Sequence, residues 1–344
     1  MSFRAWLSVI TFLLIAVILY FSRHELVHAW SLLGKVNIWI LLLLIPGQII
    51  VYYAGAEMIF SYLRDKGKMR EASRAQLTSI ALESNFVNHV LPSGGVSGMS
   101  YLTWRLGHLG IPAGRATMAQ VVKYAMGFVS FTALLLVALF VVTIDGNINR
   151  WIILSSALLI VGMTIVISGA IFLFSSQRRT DRFSKWLIKN SSYIVRKVTR
   201  GKKHQLVKPA VIDTFFDEMH RDFLELRHDK KLLVKPFLWG LLYTAMDAAL
   251  FFITFLALGE VVNPAPILIA YGVASMAGFF VLTPGGAGAY EAIMVAFLAV
   301  AGLSQGTAIA GIVLTRVILL LGTIIFGYIF YQRTLIRYGK NTDV

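Results

Sequence analysis

The sequence predicts an all-α polytopic membrane protein, with about six full spans plus two re-entrant helical hairpins, or eight spans, in inverted repeats. Three observations predict it. Hydrophobic residues make up 57% of the chain and charged residues only 14%, with a mean hydropathy of +0.73, whereas soluble domains carry roughly a quarter charged residues. Apolar runs of about 20 residues, the length needed to cross a bilayer, recur along the chain. Two clusters, Leu91-Pro92-Ser93-Gly94-Gly95-Val96-Ser97-Gly98 and Leu282-Thr283-Pro284-Gly285-Gly286-Ala287-Gly288, interrupt otherwise apolar stretches. Proline removes a backbone donor and glycine admits positive φ, so each cluster breaks a helix. Broken backbone at membrane depth must be buried in protein or line a wet cavity, which makes the two turns the expected working centre.

Composition also closes off chemistries. With no cysteine, disulfides, thiolate metal sites and a cysteine nucleophile are excluded. The net charge of +15 is read as basic cytoplasmic loops facing anionic headgroups, not as a nucleic-acid surface.

Taken in order, Arg4 precedes an apolar run from Ala5 to Ser22 with no small-x-small cleavage site after it, so it reads as an anchor and not a cleaved signal. A span from about Asn37 to Phe60 contains Pro46-Gly47 and the intramembrane Glu57. The basic loop Arg64 to Arg74 follows and belongs in the cytoplasm, as does the N-terminus. Between Ser79 and Trp104, each arm around the first turn is about a dozen residues, too short to cross, so the segment reads as a re-entrant hairpin. It leaves through Arg105, His108 and Arg115. Spans follow at about Thr117 to Ile144, carrying Lys123, and at Trp151 to Ser176, joined outside by Asp145-Gly146-Asn147.

Residues 177–235 hold sixteen Lys/Arg against seven Asp/Glu and form the cytoplasmic basic linker. Val211, Phe215, Met219, Phe223 and Leu226 recur at helical spacing, as do Phe183, Trp186, Leu187, Ile194 and Val198. Each set forms an amphipathic helix, either lying on the inner membrane surface or packed on the bundle. His204, His220 and His228 lack metal-ligand spacing. A span from Pro236 to Gly259 carries Asp247, the stretch from Pro264 to Leu303 contains the second turn and Glu291, and the last span, Gly306 to Phe330, carries Arg316 before a basic, cytoplasmic terminus.

The halves align by position. Pro92 lies 35 residues after Glu57 and 31 before Lys123, while Pro284 lies 37 after Asp247 and 32 before Arg316. The pattern of acid, broken hairpin and base occurs twice. It makes one transmembrane domain over 1–344, with repeat one about 37–144 and repeat two about 236–332. Charge rules bring the first hairpin in from the cytoplasm and the second from outside, and inverted repeats with broken helices point to a transporter with a midplane site.

The turn from Asn88 to Gly95 followed by Arg105, and the stretch Thr283 to Glu291 followed by the Arg316 span, resemble the flippase-like transmembrane domain of lysyl-phosphatidylglycerol synthases. The likeness runs from about Asn37 to Gln332, and the second turn through Glu291 is its more specific element. It implies movement of a phospholipid or lipid-linked intermediate between leaflets of the cell membrane. The synthases add a soluble aminoacyl-transfer domain, which this sequence does not contain, so the expectation is a stand-alone flippase-like protein and not a lipid-lysinylating enzyme.

The expected substrate-binding residues are Glu57, Asn88, Pro92, Gly94, Gly95, Arg105 and Lys123 from the first repeat. From the second they are Asp247, Pro284, Gly285, Gly286, Gly288, Glu291 and Arg316. Lys123 and Arg316 are placed to meet a phosphate, and the acids to hold those cations or recognise a cationic headgroup. Structural alternatives stay open: Glu57 paired with Lys123, Asp247 with Arg316, Glu291 as a helix cap, Arg105 as an interfacial anchor, Asn85 and Asn88 serving freed backbone, and His89 as a hydrogen-bonded hairpin residue. No catalytic constellation, metal site or cofactor is expected. The partners are membrane lipids: an anionic or aminoacylated phospholipid, or a polyprenyl-phosphate lipid. The alternative functions are a scaffold for a lipid-modifying partner protein, suited to the basic segment Arg178 to Lys203, and a membrane enzyme acting on a lipid.

Overall fold

The computed structural model describes residues 20, 23–32, 34, 36–69, 71–91, 96–144, 150–198, 209–280 and 288–338. Outside them lie the expected first span Ala5 to Ser22, the turn at Asp145 to Asn147, and Pro92, Gly94, Gly95, Pro284, Gly285 and Gly286. Among the described residues the chain is helical, without strands. Five helical stretches are long and apolar enough to cross a membrane: Ile38–Asp65, Ala113–Val141, Ser156–Phe174, Lys230–Ala257 and Gln305–Arg337. They match five of the six expected spans.

The chain begins with α1 (Arg23–Leu32), α2 (Ile38–Leu41) and α3 (Leu44–Asp65). Asn37 caps α2, its Oδ1 accepting from Trp39 N–H at 3.1 Å. The interruption at Leu42 and Leu43 lies where the ring of Pro46 meets the carbonyl four residues earlier and removes a donor, so one span is built from two helical pieces. Ser73 accepts from Gln76 N–H at 3.2 Å and starts α4 (Arg74–Val90), which is followed by α5 (Val96–Gly107) and the long α6 (Ala113–Ile144). Next come α7 (Arg150–Phe174), α8 (Gln177–Val198) and α9 (Pro209–His228). The chain closes with α10 (Val234–Ala257), α11 (Pro264–Phe280), α12 (Ala289–Val300) and α13 (Gln305–Tyr338).

Two series of helices correspond. The first runs α3 to α6 with 22, 17, 12 and 32 residues; the second runs α10 to α13 with 24, 17, 12 and 34. Within each series the same helices touch: first with second, second with third, third with fourth, and first with fourth. Between series, α3 packs on α10, α4 on α13 and α11 on α6.

The pair α3 and α10 is antiparallel along its length. At one end Asn37 N–H donates to the Ala257 carbonyl at 2.7 Å; at the other Lys235 Nζ lies 2.6 Å from Asp65 Oδ1. Small residues let the helices close. A Cβ on Gly322 of α13 would stand 2.5 Å from Gln48 Oε1 of α3, and one on Gly240 of α10 would stand 2.5 Å from Ser130 Oγ of α6. Gln48 to Gly240 and Ser130 to Gly322 are each a step of 192 residues, so one contact is the counterpart of the other.

The hairpins seat on glycines of the spans and on large residues facing them. Gly327 of α13 lies against Phe86 of α4, and the 192-residue step carries that contact to Leu135 of α6 against Gly278 of α11. On that helix pair Phe131 stands against Gly272, four residues earlier on α6 and six earlier on α11.

Helix α9 resolves the alternatives left for the linker. Phe216 and Met219 are buried with Phe60, Leu63 and Leu106 in the core beneath α3 to α6, and the carboxylates of α9 reach the bundle. Its apolar face therefore packs on protein and does not lie on the membrane surface. On α8, Phe183 packs toward that core whereas Trp186 is exposed.

Candidate functional site

Lys123 projects from α6 into a cavity of about 50 Å³ enclosed by α3, α4, α5, α6 and α10. Asn85 and Asn88 reach it from α4, Gln120 from α6, Tyr52 from α3 and Tyr243 from α10. Lys123 is half-buried, its ammonium 5.9 Å from the Tyr124 ring centroid, and no carboxylate pairs with it among the described residues. Asn88 Oδ1 is buried and accepts no hydrogen bond there. Close packing produces the pocket wall: Gly98 of α5 sits so near Asn88 and the Ser84 carbonyl that a Cβ would come within 2.8 Å of each. Ser84 Oγ donates to the Gly98 carbonyl at 2.7 Å, pinning the arms of the first hairpin together. His89 is held by the hairpin, its Nδ1 at 2.8 Å from the Asn85 carbonyl.

Other charges among the described residues form separate groups. Glu57, 3% exposed, pairs with Arg64 two turns further along α3, not with Lys123. In the second series, Arg316 Nε donates to Glu291 Oε1 at 2.8 Å and its guanidinium lies 4.3 Å from the Tyr290 ring centroid. Glu291 also caps α12, accepting from Gly288 N–H at 2.6 Å; Gly288, at φ +89°, occupies a region that side chains disfavour. Asp247 accepts from Tyr271 at 2.7 Å, and Arg316 acts on it only through space. The alternative pairings of Glu57 with Lys123 and Asp247 with Arg316 are not formed; Arg64 and Tyr271 take those places.

Arg105 is 4% exposed and is no interfacial anchor. Its Nε stands 3.4 Å from Glu83 Oε2, and Glu83 also accepts from Tyr101 at 2.8 Å and from Thr334 of α13 at 3.0 Å. The acid at the centre of this cluster was in view in the sequence, but only the fold brings α13 to it. A fourth group lies at the base of the bundle, where Asp222 of α9, 1% exposed, is 2.7 Å from Lys66 Nζ and 3.1 Å from Arg115 Nε. Glu218 accepts from Gly114 N–H, at the start of α6, at 2.8 Å, a favourable place for a carboxylate. The signal for this group is the acids Glu218, Asp222 and Glu225 at helical spacing within a basic linker.

The structure thus brings Asn88 and Lys123 to one cavity and Gly288, Glu291 and Arg316 to one cluster. Glu57 and Arg105 are held elsewhere, and Asp247 is bound to Tyr271. A lone intramembrane ammonium beside an unfilled acceptor can bind a polar group that carries negative charge.

Comparison with known proteins gives two matches. The family model described as the lysylphosphatidylglycerol synthase TM region matches residues 6–327. A protein described as a UPF0104 membrane protein, from Methanothermobacter thermautotrophicus, is 22% identical over 250 residues, which are 72% of each chain.

Proposed function

Because the chain belongs to the lysylphosphatidylglycerol synthase TM-region family, we propose that it moves a phospholipid or lipid-linked intermediate between membrane leaflets. The route runs through the midplane between two re-entrant hairpins, α4–α5 and α11–α12. The observation that carries this reading is the antiparallel pairing of α3 with α10 inside two helix series of matching length, the arrangement that inverted repeats produce. Arms α5 and α12 have 12 residues each, about 18 Å at 1.5 Å per residue, against a hydrocarbon core of about 30 Å. Short arms whose turns carry Pro and Gly suit re-entry.

A headgroup needs a polar path, since a charge at the bilayer centre costs about 3 kcal/mol or more. The Lys123 cavity supplies one station on that path and the Arg316–Glu291 cluster the other. The basic linker lies on the cytoplasmic side, both termini face the cytoplasm and the membrane is the plasma membrane. In proteoliposomes, wild-type protein is expected to move a labelled lipid between leaflets, and Lys123→Ala and Arg316→Ala to slow that movement. Wild-type rates in both variants overturn the route.

A second reading has one specific observation in its favour. Helix α8 exposes Trp186, Leu187, Lys185 and Lys189, a basic, partly apolar surface suited to a lipid-modifying partner protein. Stable co-purification of such a partner, with no lipid movement, selects the scaffold reading.

A further inference from the structure

We infer that the Lys123 cavity takes the phosphate of a lipid whose remaining headgroup is neutral and hydroxyl-bearing, and that it rejects an aminoacylated, cationic headgroup. This deepens the transport reading and rests on it.

Charge is the first argument. Among the described residues, Lys123 is the only charged side chain that lines the cavity, and no carboxylate lines it. The nearby acids are already engaged: Glu57 by Arg64, Glu83 by Arg105, Tyr101 and Thr334, and Asp247 by Tyr271. An anion entering the cavity therefore meets one uncompensated ammonium. A headgroup amine meets the same ammonium with nothing to neutralise either, and like charges at such range repel strongly where water is scarce.

Hydrogen bonding is the second. Gln120 Nε2 is spent on Thr103 Oγ1 at 3.0 Å and on carbonyls of α5 and α6. Tyr52 is bonded to Thr323 and accepts from Gln48 Nε2 at 2.9 Å. Two groups stand out in the lining: the ammonium of Lys123, a donor with no carboxylate partner among the described residues, and the buried Oδ1 of Asn88, an acceptor without a donor. A phosphodiester oxygen complements the first and a hydroxyl group the second. A buried acceptor left without a donor is destabilising, so a hydroxyl delivered there is bound for two reasons.

Size is the third. A volume of about 50 Å³ admits the equivalent of a few waters, so a compact phosphate suits it and an added lysyl chain would have to extend outside it.

The test uses the full chain purified in detergent, with lipid retention measured by native mass spectrometry. Phosphatidylglycerol and lysyl-phosphatidylglycerol are the probes. Wild-type protein is expected to retain phosphatidylglycerol at least about tenfold better. Lys123→Arg keeps that order and Lys123→Glu reverses it. Asn88→Asp, which adds a carboxylate without removing the lysine, narrows the preference. Equal retention of both lipids by wild-type protein, or an unchanged order in monodisperse Lys123→Glu, overturns the inference. Inorganic phosphate and sn-glycerol 3-phosphate separate the sources of phosphate: displacement of lipid by either at millimolar concentration assigns the cavity to a soluble phosphate and overturns the lipid assignment. Because retention is read without transport, a preserved preference in protein that moves no lipid removes the transport reading alone. Leaflet movement with no headgroup preference removes only this inference.

Discussion

Arg316 and Glu291 are joined at 2.8 Å, and through that bond the start of α12 is fastened to the longest helix of the second series. Glu291 uses its other oxygen to accept from Gly288 N–H, so one carboxylate sets both the helix end and the position of the guanidinium. Glu291→Gln keeps a cap and loses the ion pair; Glu291→Ala loses both. The second substitution is expected to lower stability by about 1 kcal/mol more than the first, read as an additional loss in thermal midpoint in detergent. Equal midpoints for the two variants contradict the cap.

Glu83 and Arg105 are almost wholly buried, at 2% and 4% exposure. Breaking a buried pair from one side strands the partner's charge and costs about 3–5 kcal/mol. Glu83→Gln and Arg105→Met are each expected to destabilise by that order. The double variant is expected to recover a large part, because no unpaired charge remains. A double-mutant cycle by denaturation measures the coupling, and additive losses exclude it.

Asp222 holds Lys66 and Arg115 against α9. Asp222→Asn is expected to release α9 from the bundle while the spans stay folded. Hydrogen exchange should rise across residues 209–228 and stay unchanged in α3 and α10. Salt should reproduce little of this effect, since the carboxylate is buried and weakly screened.

Hydropathy made the spans legible because each must present about 20 apolar residues to lipid, and the structure keeps the five that fall among the described residues. The second helix of the linker was half legible: its face of Phe215, Met219, Phe223 and Leu226 was visible in the spacing, but what that face covers depends on whether protein or lipid lies beneath. Charge pairing was the least legible. Glu57 and Arg64 stand seven residues apart on one helix face, a local relation open to inspection, yet Lys123, later in the same repeat, offered an equally good partner. Thr334 could not be linked to Glu83, 251 residues away, without the packing of α13 on α4.

The unequal seating of the two hairpins carries a further consequence. The spans that hold them touch at counterpart positions, Gln48 with Gly322 and Gly240 with Ser130, yet α10 packs extensively on α6 whereas α3 meets α13 at little more than that point, so the two halves of the frame are closed differently. Where Phe86 nests on Gly327, the matching place offers Leu135 and Gly278, again one large residue and one glycine, and on the same two helices Phe131 meets Gly272. Should the two halves exchange seatings, Leu135 and Gly278 would meet as Phe86 and Gly327 do now. The chain contains no cysteine, so Leu135→Cys with Gly278→Cys gives a background-free test. In a working flippase a disulfide should form between them during turnover and trap it, whereas Phe86→Cys with Gly327→Cys, whose backbones already lie close, should cross-link at rest. A protein that turns over without ever closing the first pair has its hairpins fixed, and its two sides are unlike for good.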